Sequence, residues 1–142
     1  MGNIKFENEI FEAISAADEA LKCLKEAKKS LSSAKGWGIY DMIGGGFIST
    51  FIKRKKMANA QNSMKKAKDA LKSFEDELDD IDDLVELNFN MHDFVSFADY
   101  FFDGFFSDLI IQNRINEANK KVNSVIMNVE SIRNQLIRIL NS

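Results

Sequence analysis

Three long stretches of this sequence carry an apolar residue at every third and fourth position, and no proline interrupts any of them. The first stripe is Ile10, Ala13, Ala17, Ala20, Leu24, Ala27, Leu31 and Ala34. The second is Met57, Ala60, Met64, Ala67, Leu71, Phe74, Leu78, Ile81 and Val85. The third is Ile115, Ala118, Val122, Val125, Val129, Ile132, Leu136 and Ile139. Steps of three and four bring each set onto one side of an α-helix. Ile14 and Leu21 widen the first stripe, and Ile126, Ile137 and Leu140 the third, as helices of a bundle need. Average usage near 5% would place about seven prolines in a chain of this length. Their absence fits helices that run without a break, because proline removes a backbone donor and clashes with the preceding turn.

The spacing predicts an all-α fold: an elongated, antiparallel three-helix bundle, coiled-coil-like, in one domain over residues 1–142. The helices are expected over about 4–34, 47–87 and 105–140, and the second is expected to be continuous from Met57 to Val85. A helix over 47–87 would be roughly 60 Å long at 1.5 Å per residue, so its stripe needs cover along its whole length. Alanines fill much of the first stripe, which lets a neighbouring helix come close.

The two connections are expected to be apolar turns, at 35–46 and 88–104. The first reads Lys35-Gly36-Trp37-Gly38-Ile39-Tyr40-Asp41-Met42-Ile43-Gly44-Gly45-Gly46, and the second centres on Phe101-Phe102-Asp103-Gly104-Phe105-Phe106. A plain helical hairpin needs only a few polar residues. A shift of 58 residues superposes Asp41 on Asp99, Gly46 on Gly104, Phe47 on Phe105 and Ser49 on Ser107, so a turn-plus-helix unit reads as internally duplicated. With Gly36-Trp37-Gly38, Asp41-Met42 and Gly44-Gly45-Gly46, and the Phe102–Asp108 run downstream, the chain resembles a family of uncharacterised helical bacterial proteins. The resemblance covers most of the chain. It implies a helical fold and a bacterial source, and carries no activity and no catalytic residue with it.

Residues with chemical potential have plainer readings beside them. His92, the one histidine, would share a helix face with Asp99 and Asp103, and with Asp108 could supply an oxygen-rich metal site; the plain reading is a solvated side of an aromatic helix. The acidic run Glu75–Asp83 surrounds the stripe residues Leu78 and Ile81, and a solvated face explains it. Cys23 beside Leu24 reads as a small partly buried hydrophobe. Glycines 44–46 precede a helix and the basic run Lys53-Arg54-Lys55-Lys56, but the phosphate-binding Gly-Lys-Ser/Thr pattern is absent, so a tight chain reversal is the expected role. No metal, cofactor or catalytic residue is expected.

Charge bounds the partners. Net charge is −3 and the sequence pI about 5.2, which argues against nucleic acid, whose binders are basic. A lone cysteine makes a reducing, cytoplasmic compartment the default. No apolar stretch approaches the roughly 18 residues of a bilayer span, and the start of the chain shows neither a secretory nor a myristoylation signal. The first helix is acidic early and basic late, and the second basic early and acidic late. Paired antiparallel, they form a rod with one basic and one acidic end, and two such rods laid head to tail attract. Seven of the 12 phenylalanines lie between Phe89 and Phe106, more apolar surface than one turn needs.

The expected function is therefore a non-enzymatic protein-interaction or scaffold module that forms a homodimer and meets a protein partner. Trp37, Phe47, Phe101, Phe102, Phe105 and Phe106 are its expected anchors. The alternative is a peripheral module whose basic end, Lys35 with Lys53, Arg54, Lys55 and Lys56, meets an anionic surface such as lipid headgroups.

Overall fold

The computed structural model describes residues 4–44, 47–81 and 115–141, with side chains over 4–32, 58–81 and 116–141. Three helices account for nearly all of them: α1 (Ile4–Gly44), α2 (Phe47–Asp79) and α3 (Ile115–Asn141). There is no strand among the described residues. Helix α1 packs against both α2 and α3, and the fold is an all-α three-helix bundle. With 41, 33 and 27 residues, the helices are about 60, 50 and 40 Å long.

The stripes are the core. On α1, Ile10, Ala13, Ala17, Ala20, Leu24, Ala27 and Leu31 are fully buried. On α2, Ala60, Met64, Ala67, Leu71 and Phe74 are fully buried, and Ile81 nearly so. On α3 the same holds for Ala118, Val122, Val125, Val129, Ile132 and Leu136. All belong to one cluster, with Ile14, Leu78, Ile139 and Leu140 packed at its margin. Leu21 and Ile126, which widen the stripes of α1 and α3, are buried as well. No polar or charged residue among the described ones is buried.

Side-chain pairs fix the directions. Ser30 meets Ser63 of α2, and Glu12 meets Glu77, so α2 runs antiparallel to α1. Ser32 meets Asn119 of α3, Lys28 meets Asn123, and Asp18 meets Arg133, so α3 is antiparallel to α1 as well. Helices α2 and α3 therefore run the same way. The last described turn of α2 lies beside the early part of α1, and the first described turn of α3 beside its later part.

Two boundaries differ from the sequence expectation. Helix α1 does not stop at Ala34: Lys35 to Gly44 are helical, and α2 begins at Phe47. Gly36 and Gly38 each cost a helix interior only about 1 kcal/mol relative to alanine, and no proline removes a donor. Helix α2 is unbroken through Leu71 but ends at Asp79, short of Val85. Its end tightens, with the Asp80 N–H donating to the Asp76 carbonyl and the Ile81 N–H to the Leu78 carbonyl, each at 3.2 Å. Glu75, Asp76, Glu77 and Asp79 crowd negative charge onto the negative end of the helix dipole, where no basic residue offsets it. Helix α3 is described from Ile115, so its expected start near Phe105, the second apolar turn and the downstream half of the duplication lie outside the described residues.

Candidate functional site

The antiparallel register turns the charge pattern of the sequence into a spatial one. At the level where Ser30 meets Ser63 and Ser32 meets Asn119, each helix presents two adjacent lysines: Lys28-Lys29 on α1, Lys65-Lys66 on α2 and Lys120-Lys121 on α3. All are exposed. They form a lysine collar around the bundle, in which Lys28 donates from Nζ to Asn123 Oδ1 at 2.9 Å. Lysine pairs recur because each flanks a buried stripe residue (Ala27, Ala67 and Val122) with the charged heads turned to water.

The opposite end is acidic. Glu7, Glu9 and Glu12 of α1 lie beside the α2 run from Glu75 to Asp80. Glu77 is half-buried there, and its carboxyl is raised above the ordinary 4.5, first by burial and then by the charge of Glu12, with Asp80, a hydrogen bond to Glu12, and Asp76 adding to it. Arg133 and Arg138 of α3 temper this end, and Arg133 is engaged by Asp18.

Between α1 and α3 lies an open groove of about 320 Å³, lined by Asp18, Leu21, Lys25, Glu130, Arg133 and Asn134. Two ion pairs cross it, Asp18–Arg133 and, at 4.0 Å, Lys25–Glu130. Both are well exposed, and such pairs contribute roughly 0–1 kcal/mol each. Leu21 is the apolar floor.

Cys23 is buried in the core, and its Sγ donates to Glu19 Oε1 at 3.7 Å. Burial raises its thiol above the ordinary value, and the Glu19 carboxylate raises it further. This suppresses the thiolate a nucleophile needs, in keeping with the role of a small core hydrophobe. No group of three His, Cys, Asp or Glu that could hold a metal occurs among the described residues. No helix there is long and apolar enough to cross a membrane.

The residues singled out in the sequence fall as follows. Lys35 and Trp37 lie on the helical backbone of α1, and Phe47, Lys53, Arg54, Lys55 and Lys56 on that of α2, at the same end of the bundle as the collar. Their side chains lie outside the described residues. Phe101, Phe102, Phe105 and Phe106, and likewise His92, Asp99, Asp103 and Asp108, lie outside them altogether. Sequence reasoning missed the contribution of Lys120-Lys121 to the basic end. The signal was present as one Lys-Lys pair beside each stripe, but using it required the direction of α3.

No protein-family model, no curated protein and no solved structure matches the chain.

Proposed function

We propose that the chain is a non-enzymatic helical scaffold that associates with copies of itself, oriented by the charge difference between its two ends. The observation that supports this reading is the segregation of exposed charge along the bundle, with the lysine collar towards one end and Glu7, Glu12 and the Glu75–Asp80 run at the other. Helix dipoles do not account for it, since lysines early in α2 and acids late in it oppose the dipole. A second copy laid antiparallel satisfies both ends at once, in the closed two-fold form commonest among oligomers. The aromatic residues expected as anchors lie outside the described side chains, and the reading does not depend on them.

Light scattering tests it. At micromolar concentration and 0.1 M salt the mass should be twice the 16.1 kDa of one chain. It should fall towards the single-chain value at 1 M salt, where the screening length drops from about 10 Å to about 3 Å. A single-chain mass at both salts overturns the reading.

The collar supports a second reading, a peripheral module at an anionic surface. Basic residues near such a surface contribute about 1 kcal/mol each. Sedimentation with phosphatidylserine vesicles but not with neutral ones, lost when Lys53, Arg54, Lys55 and Lys56 become Gln, would favour it. Failure of the unaltered chain to sediment removes it.

A further inference from the structure

Counted outward from the Ser30–Ser63 and Ser32–Asn119 contacts, residues 22–32 of α1, 61–71 of α2 and 119–129 of α3 lie at one level of the bundle. At 1.5 Å per residue this slab is about 16 Å thick. It carries nine lysines against two carboxylates, Glu26 and Asp69, while Glu130 at its edge pairs with Lys25 at 4.0 Å. The chain-wide charge of −3 therefore hides a strongly basic part of the surface. The collar pairs Lys28-Lys29, Lys65-Lys66 and Lys120-Lys121 lie within the slab, and all six residues are exposed. Three helices around one core turn their outer sides in three directions, so the collar curves round a convex rod and does not lie on one face.

We propose that the collar binds a single-stranded nucleic acid through its phosphates. The inference goes beyond the self-association reading and does not rest on it, since a second copy laid alongside covers one side of the collar only. Charge identifies the class of partner: lysines concentrated in one band of the surface are the electrostatic footprint of a polyanion site, whatever the charge of the whole chain. Curvature narrows the class. A bilayer is flat and a duplex is stiff over about 150 base pairs, so either one meets the pairs of at most two helices. A flexible strand bends round the rod and meets all three pairs. The lysine ammonium suits this task, because it is a compact charge on a long stem that follows a phosphate without a fixed geometry. Residues 22–32, 61–71 and 119–129 include no aromatic side chain, so the slab offers no ring on which bases would stack. Binding is therefore to the backbone, strongly salt-dependent and indifferent to base sequence.

Fluorescence anisotropy of a labelled deoxythymidine strand of about 30 nucleotides, titrated with the full chain, tests the proposal. Six phosphates neutralised by the collar give a slope of about −4 in log K against log salt, so affinity should fall on the order of a hundredfold between about 50 and 200 mM. Lys28→Gln with Lys29→Gln, Lys65→Gln with Lys66→Gln, and Lys120→Gln with Lys121→Gln should each reduce that slope by about 1.4. Arginine at the same pairs keeps the charge and should keep the slope. A flat or stiff partner would leave at least one pair without effect. Should a glutamine pair cost helicity by circular dichroism, the slope of the unaltered chain decides, and a value weaker than about −2 counts against the collar. Absence of binding at about 50 mM salt, or a slope indifferent to any one of the three pairs, overturns the inference. So does sedimentation with phosphatidylserine vesicles by a chain that leaves the strand unbound, which gives the collar to a membrane surface. The light-scattering mass decides self-association separately, and neither result fixes the other.

Discussion

Ser30 on α1 and Ser63 on α2 hydrogen-bond to each other, hydroxyl to hydroxyl, at 2.9 Å. The contact is part-buried and lies beside the fully buried Leu31 and Met64. Alanines on both stripes, Ala27 on α1 with Ala60 and Ala67 on α2, bring the two backbones near enough for such short side chains to meet. The bond ties the register of the antiparallel pair to one pairing of residues.

Removing either hydroxyl should leave the other half-buried without its partner. Ser30→Ala and Ser63→Ala are each expected to lower unfolding free energy by about 1 kcal/mol, and the double variant by less than the sum. Urea titrations followed by circular dichroism measure all three. Strict additivity would mean that the contact contributes no coupling.

How far the sequence could be read is clear from particular residues. Every described stripe position is buried or packed against the core, because a three-and-four spacing of apolar side chains has one low-energy arrangement in water. The helix ends were harder. Gly36 and Gly38 suggested a turn, yet glycine only weakens a helix, and the chain stays helical to Gly44. The acidic run after Phe74 looked neutral towards the helix, yet α2 stops at Asp79, where those charges meet the helix dipole. The direction of α3 was not legible, since a stripe has the same spacing read either way. With it went the collar and the groove, both of which need the pairing of Asp18 with Arg133 to be known.

The α1–α2 seam should tolerate enlargement and truncation differently. Ala67 and Leu71 are both fully buried on α2. Ala67→Leu forces two close backbones apart and is expected to cost about 1–3 kcal/mol. Leu71→Ala leaves a cavity and is expected to cost about 2–5 kcal/mol. A stabilising Ala67→Leu in thermal unfolding would show that the seam is looser than the structure has it.

Cys23 should be slow to modify in the folded chain. Its thiol is buried and shifted upward by that burial and by Glu19, so little thiolate forms near pH 8. Reaction with a disulfide reagent is expected to be at least about tenfold slower than for a free cysteine, and to reach the free rate in urea. Fast modification without denaturant would contradict the burial.

Glu77 should make the bundle less stable as pH rises. Its carboxyl is raised above 4.5 in the folded chain, by burial first and by Glu12 next. The folded state therefore holds this proton to a higher pH than the unfolded state does. That contribution to stability is fully present below the ordinary carboxylate value, and is lost as pH climbs through the raised one. Glu77→Gln removes the charge while keeping the shape, so it should raise the melting temperature at pH 7, where Glu12, Asp76 and Asp80 still face the site as anions. Near pH 4 the unaltered side chain carries its own proton, and the difference between the two proteins should shrink. Melting curves of both proteins at the two pH values provide the check. An equal effect of Glu77→Gln at pH 4 and pH 7, or a loss of stability at pH 7, would show that Glu77 is not held against its acidic neighbours.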